Sequence, residues 1–142
     1  MEYAELIRQA FKAREHSYAP YSGFRVGAAI SCLDGTVYQG CNIENAAYSP
    51  GNCAERTAIF KAVSEEQKDF TAIAIVGGPD IYRGEILPEY CPPCGVCRQV
   101  MMEFCNPKEF KVIVAKSEND YKVYYLEELL PMGFGPASLG DS

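Results

Sequence analysis

The side chains of this chain best equipped for chemistry are Cys53, Glu55, Cys94 and Cys97. A thiolate is both a nucleophile and a metal ligand, and a carboxyl group can carry a proton. Cys94 and Cys97 stand three positions apart in Pro93-Cys94-Gly95-Val96-Cys97-Arg98-Gln99, so at a helix start both sulfurs point to one side of its first turn. Cys53 opens Cys53-Ala54-Glu55-Arg56 at the start of a second helical pattern, where free backbone N–H groups and the helix dipole favour a thiolate. Two such helix starts, brought together, present three thiolates to one Zn²⁺, an ion that prefers four ligands in a tetrahedron. With three protein ligands the fourth corner is left to water and to chemistry; with four the site is structural. Cys91 in Cys91-Pro92-Pro93-Cys94 is available to close the shell, so a structural four-cysteine site is the competing reading. Glu55 also reads two ways, because Asn52-x-x-Glu55 is close to a capping box that would use its carboxylate on free helix N–H groups.

The elements that must position these residues follow from periodicity. Tyr3, Leu6, Ile7, Ala10 and Phe11 recur at helical spacing and predict an amphipathic helix over residues 2–15. His16, the single histidine, falls just past its end and receives no catalytic role; its solitude excludes any multi-histidine metal site. Val26 to Leu33 and Thr36 to Ile43 are apolar runs separated by Asp34-Gly35, a hairpin signal. Ser49-Pro50-Gly51-Asn52 precedes a helix from about Cys53 to Ser64, and Thr71 to Val76 reads as a short buried strand. Residues 77–93 contain Pro79, Pro88, Pro92 and Pro93 and predict a long irregular connection. Gly95 to Cys105 reads as a helix stopped by Asn106-Pro107. Lys111 to Ala115 and Lys122 to Tyr125 read as strands around the turn Glu118-Asn119-Asp120, and Leu126 to Leu130 as one helical turn. The order α-β-β-α-β-α-β-β predicts an α/β layered domain with a mixed sheet.

Composition bounds the partners. The chain has 142 residues, Lys+Arg 13 and Asp+Glu 19, hence a net charge of −6 and one expected domain. An acidic chain without a basic run is poorly suited to phosphate backbones, which excludes long nucleic acid as the expected partner. The longest apolar stretch, Phe70 to Gly78, is too short for a bilayer, and the start Met1-Glu2-Tyr3-Ala4-Glu5 lacks the pattern of a leader; no membrane partner and a cytoplasmic location are expected. Seven cysteines without an export signal favour thiols or metal ligands over disulfides. Cys32, Cys41 and Cys105 read as small buried hydrophobes.

Glu two residues after a first ligand, followed by Pro-Cys-x-x-Cys, is the zinc-deaminase signature in its three-cysteine form, and Cys53-x-Glu55 with Pro93-Cys94-x-x-Cys97 matches it. The likeness extends through Tyr18-Ala19-Pro20-Tyr21-Ser22-Gly23-Phe24-Arg25-Val26-Gly27-Ala28-Ala29, Gly40 to Tyr48, Cys53 to Ala58, Pro93 to Gln99 and Leu129 to Pro136. Over nearly its whole length the chain resembles the small, homotetrameric class of zinc-dependent cytidine deaminases. The resemblance implies one catalytic domain over residues 1–142, a three-layer α/β/α fold with an about five-stranded mixed sheet, and hydrolytic deamination of cytidine and deoxycytidine in pyrimidine salvage. By the same resemblance Zn²⁺ falls on Cys53, Cys94 and Cys97, the proton shuttle on Glu55, and nucleoside binding on Phe24, Asn42, Glu44, Ala54 and Phe134. Phe134 would reach a neighbouring subunit's site. Arg56, beside Cys53, is the candidate to draw charge off a ligand sulfur, with Arg98 as a second. Cys91 is additional to the family pattern, Pro92 replaces a usual Ser, and the link from Ile75 to Cys94 is longer than usual. The alternatives are a deaminase of another aminopyrimidine nucleoside, nucleotide, free base or nucleoside antibiotic, a structural zinc module, and a nucleic-acid editor, which the charge disfavours.

Overall fold

The computed structural model describes residues 2–140. Helix α1 (Tyr3–Arg14) is followed by strands β1 (Phe24–Cys32) and β2 (Val37–Cys41), helix α2 (Ala54–Ser64), strand β3 (Phe70–Pro79), helix α3 (Gly95–Phe104), strands β4 (Lys111–Ser117) and β5 (Asp120–Tyr125), and the single turn α4 (Leu126–Leu129). A short 3₁₀ turn spans Pro136–Leu139. The sheet order is β2-β1-β3-β4-β5; only β3 and β4 run parallel, and α3 lies in the crossover between them.

Alternation along the central strands divides the core in two, because successive side chains leave opposite faces of a sheet. Ala28 and Ile30, Ile73 and Ile75, Val112 and Val114 face α2 and α3, where Ala58, Ile59 and Met101 meet them. Ala29, Ala74, Val76, Ile113 and Ala115 face α1 and pack on Leu6, Ile7, Ala10 and Phe11. The expected three layers are thus present, with the central strands buried on both faces. Two close backbone approaches set the helix positions. A Cβ on Gly27 would lie 2.1 Å from Ala10 O, and one on Gly40 would lie 2.4 Å from Ala58 N and 2.5 Å from Ala54 O. Only glycine lets α1 and α2 settle this near the sheet.

The structure departs from the expected boundaries in one informative place. Strand β3 continues through Gly77 and Gly78 to Pro79, because Phe24, Arg25 and Val26 of β1 pair with Pro79, Gly78 and Gly77. A partner strand outweighs the poor strand propensity of those residues. The irregular connection is therefore shorter than residues 77–93. It is tied down by Arg14, which is buried and donates to the carbonyls of Arg25 at 3.0 Å, Tyr82 at 2.5 Å, Gly78 at 2.9 Å and Pro79 at 3.1 Å. Buried Leu87 adds a backbone bond to Lys116 O at 2.8 Å. No helix of the described residues is long and apolar enough to cross a membrane.

Candidate active site

Helices α2 and α3 begin on the same face of the sheet, and their first residues meet. Cys53 is the N-cap of α2, Cys94 is the N-cap of α3, and Cys97 lies in the first turn of α3. Their sulfurs lie within 4.8 Å of one another, with Cys53 Sγ to Cys94 Sγ at 3.8 Å and Cys94 Sγ to Cys97 Sγ at 3.4 Å. A tetrahedron built on Zn–S bonds of about 2.3 Å has edges of about 3.8 Å, so this donor set fits Zn²⁺. Cys91 does not join the cluster. Its sulfur packs on β3, 2.7 Å from where a Cβ on Gly77 would stand, and burial pushes its thiol up to about 12. The expectation that Cys91 could close the shell is thereby corrected: among the described residues three thiols converge, and the fourth corner has no cysteine.

The electrostatics favour a thiolate at Cys53, the start of α2, while the hydrogen bond to Cys53 and burial push the Cys97 thiol up. Cys53 titrates below the ordinary thiol range because the Cys97 thiol donates to it and because the Arg56 guanidinium lies beside it. Arg56 Nη2 donates to Cys53 Sγ at 3.3 Å, and its Nε is buried with no oxygen or nitrogen partner. The backbone N–H of Cys97 also points at Cys94 Sγ, at 3.4 Å. Arg98, the other expected donor, is turned away: its Nε reaches Pro93 O at 2.8 Å and its Nη1 reaches Leu129 O at 2.6 Å, so it braces the loop before α3 instead of a sulfur.

Glu55 is 4% exposed, and burial raises its carboxyl pKa to about 7. The capping-box reading fails, because Cys53 and not Asn52 is the N-cap and no side chain caps α2; Asn52 Nδ2 instead reaches Thr57 Oγ1 at 3.3 Å. Glu55 lines a cavity of about 550 Å³ together with Cys53, Ala54, Arg56, Cys91, Pro92 and Cys94 on one side and Asn42, Glu44 and Tyr48 on the other. That volume suits a small ring with one sugar attached.

On the loop side, Asn42 and Glu44 already hold their own backbone. Asn42 Nδ2 donates to Phe24 O at 2.8 Å, and its Oδ1 accepts from Val26 N at 2.9 Å and from the Ser17 hydroxyl. Glu44 Oε1 accepts from Tyr21 N at 3.0 Å and Ser22 N at 3.1 Å, and its Oε2 accepts from the Ser22 hydroxyl. These contacts lower the Glu44 pKa, chiefly through Ser22, so the cavity rim carries a carboxylate. Ser17, Ser22 and Tyr48 were not among the residues singled out by sequence. Ser22 lies in a recognisable turn, but nothing in the chain marks Tyr48 as adopting φ 63° at the rim. Phe24 is neither core nor part of the cavity lining: its ring edge lies 3.2 Å from a Cβ placed on Gly77, beside Cys91. Phe134 is 59% exposed and outside the cavity, with its carbonyl accepting from Gln99 Nε2 at 2.7 Å.

Three thiols at two helix starts over a mixed sheet, with a buried carboxyl group beside them, define a zinc hydrolase of the deaminase type. The chain belongs to the family described as cytidine and deoxycytidylate deaminase zinc-binding region, whose model matches residues 1–114. It is 47% identical over 141 residues to a cytidine deaminase of Halalkalibacterium halodurans, covering 99% of this chain and 100% of that one. It is 46% identical over 139 residues to a cytidine deaminase of Sporosarcina psychrophila, covering 98% and 96% respectively. The fold is similar to the crystal structure of cytidine deaminase from Burkholderia pseudomallei, with TM-score 0.83 and 43% identity over 94% of this chain and 100% of that chain.

Proposed function

We propose that this protein is a single-domain, zinc-dependent cytidine deaminase that converts cytidine and deoxycytidine to the corresponding uridines with release of ammonia, within pyrimidine salvage in the cytoplasm. The observation that carries the reading is the cluster of Cys53, Cys94 and Cys97 with Glu55 in one small cavity. The three cysteines hold the ion. What a bound Zn²⁺ supplies is a strong nucleophile from water at neutral pH. Glu55 takes up a proton from the attacking water and delivers it to ring N3, so that C4 can accept the new C–O bond. The carboxylate then takes a second proton from the new C4 hydroxyl and passes it to the exocyclic nitrogen; as C4=O forms, the C4–N bond breaks with its electron pair on nitrogen and ammonia leaves. Burial suits Glu55 to this duty, since a carboxyl group held near neutrality both accepts and returns a proton.

Ala54 lines the ring end of the cavity, and Phe24 stands outside the lining, beside Cys91. Glu44 accepts from a sugar hydroxyl with the lone pairs that Tyr21 and Ser22 leave free, and Asn42 offers its second N–H. A carboxylate at the sugar end disfavours a phosphate there, which points to a nucleoside over a nucleotide. Phe134, an aromatic exposed on the C-terminal segment, is supplied to a neighbouring subunit's cavity in a homotetramer. The test is spectrophotometric. The zinc-loaded protein is expected to deplete cytidine absorbance, to lose that activity to a strong chelator, and to turn over cytidine 5′-monophosphate at least about tenfold less efficiently, the size of one unfavourable contact of about 1.4 kcal/mol. Preference for the monophosphate contradicts the assignment of Glu44.

A further inference from the structure

The approach to Cys94 runs through residues 80–94, a stretch without helix or strand, so no regular backbone bonding sets where α3 begins. Tyr90 supplies a fixed point. It is half-buried, its hydroxyl donates to Asp120 Oδ1 at 2.5 Å, and two ammonium groups lie over its ring, with Lys116 Nζ 4.6 Å and Lys122 Nζ 4.8 Å from the ring centre. All three partners belong to the β4–β5 hairpin. A phenol hydrogen-bonded to a carboxylate while stacked by cations is held in position and in rotation, which neither contact achieves alone. The residues that follow are packed in turn: Cys91 lies against Gly77, the Pro93 carbonyl accepts from Arg98 at 2.8 Å, and Cys94 caps α3. Arg98 and Leu87 brace the same segment, and Leu87 also joins it to the hairpin through Lys116 O, but Tyr90 does so at the residue immediately before the cavity wall.

We infer that Tyr90 is a positioning residue: clamped by Asp120, Lys116 and Lys122, it fixes Cys91 in the cavity wall and sets Cys94 and Cys97 opposite Cys53. This rests on the reading of those three cysteines as zinc ligands. Tyr90 does not line the cavity, so its effect has to appear in how tightly the ion is held.

The experiment uses zinc-loaded protein and follows zinc release to a chromogenic chelator in Tyr90→Phe, Asp120→Ala and the double variant, with melting temperature measured on each. Ile113→Val, which thins the core on the α1 side, serves as a control for general destabilisation. Each single variant is expected to release zinc about fivefold faster, the equivalent of one lost hydrogen bond, and the double no faster than either single. The visible spectrum of the cobalt(II)-substituted Tyr90→Phe protein is expected to shift as sulfur–metal geometry relaxes. Ile113→Val is expected to match their loss of melting temperature while keeping wild-type release and spectrum. Release that tracks melting temperature in all variants, or additive effects of Tyr90→Phe and Asp120→Ala, overturns the inference and leaves Tyr90 a surface latch. Cys94→Ser separates the two claims: retention of full zinc there defeats the ligand reading itself, whereas its loss alongside unchanged release in Tyr90→Phe defeats only the positioning role.

Discussion

In the proposed reading, Arg56 serves a metal it does not bind. Three thiolates around a divalent ion leave the cluster negative, and its guanidinium donates to Cys53 from 3.3 Å, drawing electron density off the sulfur. Arg56→Ala is expected to weaken zinc retention about tenfold in a chelator competition, the usual effect of removing a group behind a ligand; unchanged retention assigns the compensation to the two helix starts alone. Arg56 was legible because it adjoins Cys53 in sequence, within reach over one helical turn. Arg98 had the same claim by adjacency to Cys97, and only three-dimensional packing turned it toward Pro93 and Leu129. Cys91 was ambiguous for a related reason. Spacing says which thiols can reach an ion, but not that a neighbouring glycine strand will hold one of them aside.

At the scale of elements, the site exists because α2 and α3 start at the same place, and Gly40 decides how closely α2 lies on β2. Its missing Cβ would collide with backbone atoms of Ala54 and Ala58, 2.5 Å and 2.4 Å away, which cannot rotate out of the way. Gly40→Ala is therefore expected to cost about 2 kcal/mol or more in urea unfolding, and to loosen Cys53 and Glu55 with the helix that carries them. A loss under about 0.5 kcal/mol contradicts the close-packing account. The helices, the hairpin and the parallel crossover were readable from periodicity and turn residues, since those patterns are local. The extension of β3 through Gly77-Gly78-Pro79 was not, because its cause is the partner strand. The ties of the connection after it were equally hidden: Arg14, Leu87 and Tyr90 act over long sequence separations, and no local propensity encodes them.

The whole molecule is acidic, carries a carboxylate at the rim of its cavity, and ends in a segment whose Phe134 and Leu139 are exposed. In the proposed tetramer these aromatic and apolar groups meet other subunits. Deleting residues 131–142 is expected to lower the oligomeric state in light scattering and to reduce activity by at least about tenfold, the loss of roughly one buried aromatic contact. A fully active monomer contradicts a shared site. The three thiols proposed to hold zinc and the carboxyl group beside them remain the heart of the account, and Glu55→Gln tests them most directly, because it keeps the shape of the side chain and removes its proton chemistry. With zinc content measured on the same sample, cytidine turnover is expected to fall by at least about 10²-fold while one zinc per chain is retained. Near wild-type turnover in that zinc-replete variant contradicts the account.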